Sequence, residues 1–179
     1  MVDEGKGLTQ KNEPKIEYSV ANREALYAAA QELLSEGNSA LAAMAVGGQR
    51  LASCDEGILA KEGGRVIGMA TIAPQGDEPG QPGPPEIVGV YVTRRDRDKY
   101  RRQKVGSELL ERAVDHCKNV RKFPSIHMTA VTPNGAKLVE NLCERRPDLK
   151  DFINFMDLSK NPMAGILAEA MEPDFSEEQ

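Results

Sequence analysis

The chain has 179 residues, 40% of them hydrophobic and 28% charged, enough to bury the core of one ordinary soluble domain. A formal net charge of -5 and an aromatic content of 4% argue against nucleic-acid binding, which needs a broadly basic face and rings for stacking. No stretch approaches the ~18 apolar residues needed to cross a bilayer, and Cys54, Cys117 and Cys143 lack CxxC spacing, so the expectation is a cytoplasmic protein with no membrane partner, disulfide framework or metal site.

Residues 1–14 read as a flexible N-terminus, 15–159 as a single domain and 160–179 as a C-terminal tail. "KIEYSV" alternates Ile16, Tyr18 and Val20 as a first strand does. "ANREALYAAAQELLSEG" places Leu26, Ala29, Ala30, Leu33 and Leu34 on a helical stripe that stops at Gly37. "NSALAAMAVGGQRLAS" reads as a second helix broken at Gly47-Gly48. "GILAKEGGRVIGMATIAP" reads as a hairpin turning at Gly63-Gly64. The loop Pro74 to Pro85 is too rich in proline and glycine for a strand interior. "EIVGVYVT" is β-rich, with Gly89 suggesting a bulge. A basic loop follows, then a helix from Val105, a buried strand "SIHMTAVT", a helix opened by Pro133 or Asn134, and a last strand "DFINFMDLS". "PMAGILAEAM" reads as a docking helix ahead of an acidic end.

The basic loop poses an electrostatic problem. Arg94, Arg95, Arg97, Lys99, Arg101, Arg102 and Lys104 crowd the start of a helix against only Asp96 and Asp98. A helix N-terminus carries about half a positive charge and favours anions. The crowding makes sense once a polyanion sits between the arginines and the outward-pointing amides of the first turn, and Gly106 would let the backbone approach it closely. The plainer reading is a solvated basic loop. No GxxxxGK[ST] run and no GxGxxG after the first strand is present.

The strand "EIVGVYVT", the basic turn, the helix "VGSELLERAVDHC" and the strand "SIHMTAVT" together resemble the GNAT superfamily, the acetyl-CoA-dependent N-acetyltransferases. Its signature [QR]-x-x-G-x-[GA] is met by "RRQKVG", with Arg101 first, Gly106 last and Lys104 where the middle glycine belongs. "TPNGAKLVENL" is similar to the family's TPxGxxLYxxL, and "KEGGRVIGMATI" to its second and third strands; the likeness spans roughly residues 16 to 158. It implies an α/β (α+β) fold with a mixed, mostly antiparallel central sheet, helices on both faces, and the order β-α-α-β-β-β-α-β-α-β.

The resemblance also implies a site. The family's sheet splays after its fourth strand, where the backbones of Val90, Tyr91 and Val92 would pair with the pantetheine arm of acetyl-CoA, Gly89 marking the bulge. The pyrophosphate would lie on the amides of Arg102, Gln103, Lys104, Val105, Gly106 and Ser107 beside Arg101, and Asn134 would touch the pantetheine chain. Arg94, Arg95, Arg97 and Lys99 would meet the coenzyme's 3′-phosphate or an acidic partner.

Glu86 resembles the glutamate base of the histone-acetyltransferase branch. Strand alternation puts it on one side with Val88, Val90 and Val92, where its pKa would rise; the alternative is a solvated glutamate at a strand end. Val139 replaces the family's tyrosine acid, and Tyr91, Tyr100 and Cys143 are conceivable substitutes. His116 and His127 lack metal-spaced partners and read as structural.

Two functions follow. One is acetyl transfer from acetyl-CoA to a primary amine by direct attack, on a small molecule or on a protein lysine or N-terminus. The other is a non-catalytic module that binds acyl-CoA or a protein partner. Many members of the family pair through their C-terminal strands, so a homodimer is among the partners implied.

Overall fold

The computed structural model describes residues 15–37, 52–76 and 82–161. The expected second helix, most of it in 38–51, and the docking helix after Asn161 lie outside the described residues. Strand β1 (Ile16–Asn22) leads into helix α1 (Arg23–Ser35), whose start is fixed by the Asn22 side chain accepting from the Ala25 amide at 3.0 Å. The helix ends ahead of Gly37, which takes φ 79°.

Strands β2 (Glu56–Glu62) and β3 (Arg65–Ala73) form the expected hairpin. Gly63 and Gly64, at φ 58° and 83°, make the two-residue turn, whose central positions both need positive φ. Strand β4 (Glu86–Val92) follows, then helices α2 (Arg97–Arg102) and α3 (Val105–Asp115), the latter continuing as a π-helical turn over His116–Val120. Strand β5 (Ile126–Ala130), helix α4 (Pro133–Arg145) and strand β6 (Ile153–Asp157) complete the described fold. Thr132 caps α4 by accepting from the Gly135 amide at 3.1 Å, with Pro133 in the first turn where its missing N–H costs nothing.

The six strands form one sheet in chain order. The first three ladders are antiparallel; β4–β5 and β5–β6 are parallel, joined by crossovers through α3 and α4. On one face, Leu26, Ala29, Ala30 and Leu33 of α1 meet Leu59, Val66 and Met69. On the other, Val105, Leu109, Leu110 and Ala113 of α3, with Val139 and Leu142 of α4, meet Ile67, Ala70 and Ile72. Helices therefore cover both faces, as expected.

Two expectations need correction. The segment read as a basic loop contains the helix α2. Strand β5 is not buried on both sides: Ile126, Met128 and Ala130 are buried, whereas His127 and Thr129 are exposed, because among the described residues helices cover only one of its faces. Among the described residues no helix is long and apolar enough to cross a membrane.

Candidate active site

The site forms where β4 and β5 part. The two strands pair only at Glu86 with His127 and at Ile87 with Met128, although β4 runs on to Val92 and β5 to Ala130. On the other flank of β4, Thr71 lies opposite Gly89 and Ile72 opposite Ile87, so Val88 is an extra residue, a β-bulge. The bulge reverses the expected alternation. Val88 and Tyr91 pack on the α1 side, while Ile87, Val90 and Val92 pack on the α3 side. Glu86, paired with the α1-side Ala73, thus shares its face with Val88 but not with Val90 and Val92.

The ladder also sorts the backbone groups. The Thr93 amide donates to the Ile67 carbonyl at 2.8 Å. Antiparallel alternation then turns the N–H and C=O of Tyr91 toward Met69 and those of Val90 and Val92 toward the gap. Of the three residues expected at this edge, Tyr91 turns its backbone away from it.

Gly89 is required by its neighbour Tyr91, and the extra residue of the bulge is Val88 rather than the expected Gly89. A Cβ there would come within 2.6 Å of Tyr91 Cε2, because the tyrosine ring lies back over the glycine. Gly89→Ala is expected to lose about 1–3 kcal/mol of stability by displacing that ring. In urea denaturation the loss should vanish in a Tyr91→Ala background; an equal loss there would place the clash elsewhere.

Both crossover helices start at the carboxyl end of the parallel strands, the end at which open α/β sheets bind ligands. The first turn of α3 lies beside the end of β4: a Cβ on Gly106 would be in ordinary contact with Val92 Cγ2 at 3.6 Å. Asn134 is exposed in the first turn of α4. Of the amides from Arg102 to Ser107, those of Gln103 and Lys104 already donate to the carbonyls of Lys99 and Arg101, at 3.0 and 3.1 Å. Arg102 lies within α2, which leaves Val105, Gly106 and Ser107 as first-turn donors of α3.

The cations have a partial explanation within the protein. Lys99, Arg101 and Arg102 occupy the last turn of α2, the end that favours positive charge. Lys99 Nζ lies 2.8 Å from both oxygens of Glu62, and buried Tyr100 donates to that carboxylate at 2.7 Å while accepting from Arg65 at 3.1 Å. The hydrogen bonds from Lys99, then Tyr100, hold the Glu62 carboxyl below the usual carboxylate range. Arg94, Arg97, Lys99 and Arg102 line a depression of about 820 Å³ together with Glu36, Asp96 and Asp98. The depression thus sets four cations against three carboxylates.

Lys104 explains the glycine it replaces. It takes φ 55° and ψ 33° just before α3, the left-handed region that costs a residue with a Cβ roughly 1–2 kcal/mol. Lys104→Gly removes that strain and loses about 0.5–1 kcal/mol to the freer unfolded chain. The melting temperature is therefore expected to hold or rise; a fall would mean that the lysine side chain stabilises the turn.

The Acetyltransferase (GNAT) family model matches residues 23–144. The chain belongs to the GNAT family. Its fold is the mixed sheet expected from that membership, and acyl transfer is the family's chemistry. A GCN5-related N-acetyltransferase from Ralstonia eutropha JMP134 is 21% identical, with 72% of this chain and 91% of that one covered and a TM-score of 0.49. A ribosomal-protein-alanine N-acetyltransferase from Brucella melitensis biovar Abortus 2308 is 17% identical, with 72% and 90% covered and a TM-score of 0.47. Among curated proteins none matches significantly.

In this GNAT chain the substitutes for the missing tyrosine are poorly placed. Val139 is buried in the core, and Tyr100 is engaged with Glu62 and Arg65. Tyr91 lies on the α1 side over Gly89. Burial pushes up the thiol of Cys143, and burial with nearby Glu56 pushes that of Cys117 up to about 12, which makes each a weaker proton donor. His116 is structural as expected: it is buried, with Nε2 3.2 Å from a Glu56 carboxylate that Arg121 also meets at 2.9 Å. His127 departs from that expectation, standing exposed beside Glu86. The alternation Ile126, His127, Met128, Thr129, Ala130 carried that signal in the sequence.

Proposed function

We propose that the chain transfers an acetyl group from acetyl-CoA to a primary amine, on a small molecule or on a protein lysine or N-terminus, by direct attack with both substrates bound. The observation that carries this reading is the parting of β4 and β5 after two paired residues, between two helix N-termini. Val90 offers its backbone groups along that gap to the pantetheine amides. The amides of Val105, Gly106 and Ser107 receive the pyrophosphate, with Arg101, Arg102 and Lys104 adding charge-assisted contacts. Asn134 meets the pantetheine from the opposite wall. Gly106 suits this role because its contact with Val92 is loose and no side chain of its own screens the amides.

Glu86 is the base. It stands at the foot of the gap and takes a proton from the incoming ammonium. The amine nitrogen then bonds to the thioester carbonyl carbon, the nitrogen sheds its second proton to water, the carbon–sulfur bond breaks, and the departing thiolate takes up a proton from water. With the tyrosine position filled by buried Val139, no side-chain acid is assigned. That valine also favours the second reading, a module that binds acyl-CoA without turnover. The free cysteines accord with a reducing, cytoplasmic setting.

Calorimetry with acetyl-CoA, CoA and 3′-dephospho-CoA tests the binding half. Heat that weakens with salt supports it, and no heat with any of the three removes both readings. Thiol release across a panel of amines then separates enzyme from module.

A further inference from the structure

The acidic excess of this chain is concentrated after Lys160, its last cation. Glu169, Glu172, Asp174, Glu177 and Glu178 follow, and their five charges equal the net charge of -5. The rest of the chain is balanced: its 23 lysines and arginines meet the other 23 of 28 aspartates and glutamates.

The opposite excess lies at the turn ahead of α3. Arg95, Arg97, Arg101, Arg102 and Lys104 are exposed, and among the described residues none of the five has an ion-pair partner. Lys99 differs, being held by Glu62. Only Asp96 and Asp98 stand among these cations. The first turn of α3 adds the amides of Val105, Gly106 and Ser107 and the positive end of its dipole.

The topology brings the two charges together. Strands β4, β5 and β6 are parallel, so their carboxyl ends share one edge of the sheet. Strand β4 ends at Val92, beside the first turn of α3. Strand β6 ends two strands away at Asp157, where the Leu158 amide extends the ladder onto the Ala130 carbonyl at 2.9 Å. Two strand spacings are roughly 10 Å, to which the splay of β4 from β5 adds. The described residues end at Asn161 on this side, and Glu172 follows it by eleven residues, an extended reach of up to about 38 Å. Reach therefore exceeds separation.

We infer that segment 172–178 docks on the cationic turn of its own chain and screens it until a phosphate-bearing ligand arrives. Its carboxylates are favoured at a helix N-terminus as phosphates are, and arginines bind both through charge-assisted hydrogen bonds. The docking stands apart from the acetyltransferase reading, whereas its competition with the phosphates of acetyl-CoA rests on that reading. Tethering gives the segment an effective concentration in the millimolar range, so a weak contact is occupied at low salt. The apparent affinity for acetyl-CoA is then reduced by the fraction of chains in which the turn is covered.

The test places a nitroxide at residue 176 of the full chain, through Ser176→Cys in a Cys143→Ser background; Cys54 and Cys117 are fully buried. Amide resonances of residues 97–107 are expected to broaden in about 0.02 M salt and to recover at about 1 M, where the screening length falls to about 3 Å. Neutralising the segment with Glu172→Gln, Asp174→Asn, Glu177→Gln and Glu178→Gln should abolish the broadening. By calorimetry the neutralised chain should bind acetyl-CoA roughly three- to tenfold more tightly at low salt, and no differently at high salt. Sharp resonances at low salt would overturn the docking. Equal broadening of an unlabelled, isotope-enriched chain mixed with the labelled one would overturn it too, since the segment then reaches a second copy. Broadening with an acetyl-CoA affinity unmoved by neutralisation would keep the docking and overturn the competition. Broadening without heat from acetyl-CoA would overturn the transferase reading and leave the docking standing.

Discussion

Gly106→Glu is expected to make the protein slightly more stable and to abolish its grip on acetyl-CoA. Its Cβ would meet only Val92 Cγ2, at 3.6 Å, so the fold accepts it. A carboxylate in the first turn of α3 is favoured by the helix dipole by about 0.3–1 kcal/mol, and the neighbouring arginines add to that. The same charge would repel a diphosphate and occupy the space that brings it to the amides. Affinity for acetyl-CoA should fall by a hundredfold or more, about 3 kcal/mol. Calorimetry and thermal melting on one preparation measure both effects. Undiminished binding would show that the coenzyme does not use this turn, and a large loss of stability would show that the glycine serves packing.

Glu86→Gln is expected to lower kcat by roughly a hundredfold or more while leaving acetyl-CoA binding unchanged, the pattern of a lost proton acceptor. The carboxylate sits at the start of β4, on the face opposite Val90 and Val92, so the amide replacement disturbs neither the gap's backbone edge nor the α3 core. Stopped thiol-release rates at saturating acetyl-CoA give the comparison. A wild-type rate would retire Glu86 as base. A rate restored at high pH would instead confirm that the missing function is deprotonation of the amine.

Much of this fold was legible because its signals are local. The stripe of α1, the double-glycine hairpin turn and the Thr132–Pro133 helix start each follow from adjacent residues. The apolar face of α3 read correctly down to Cys117, which is fully buried. What escaped depends on partners distant in the chain. Nothing near Lys99 announces Glu62, so the basic stretch read as a loop awaiting an anion rather than a short helix tied to the β2–β3 hairpin. Strand periodicity placed Glu86 with three valines, and only the opposing register of Thr71 and Ile72 exposes the extra residue that separates them.

The extra residue in β4 also gives that strand a reading frame. Upstream of Val88, side chains are in one phase; downstream they are in the other. Deleting a single residue there would bring the two halves into step and swing either the carboxylate under the crossover helices or the valine edge out of their core. Insertions and deletions at this point are thus far more disruptive than substitutions, because the strand holds Glu86 and the core-facing valines on opposite faces through one irregular step.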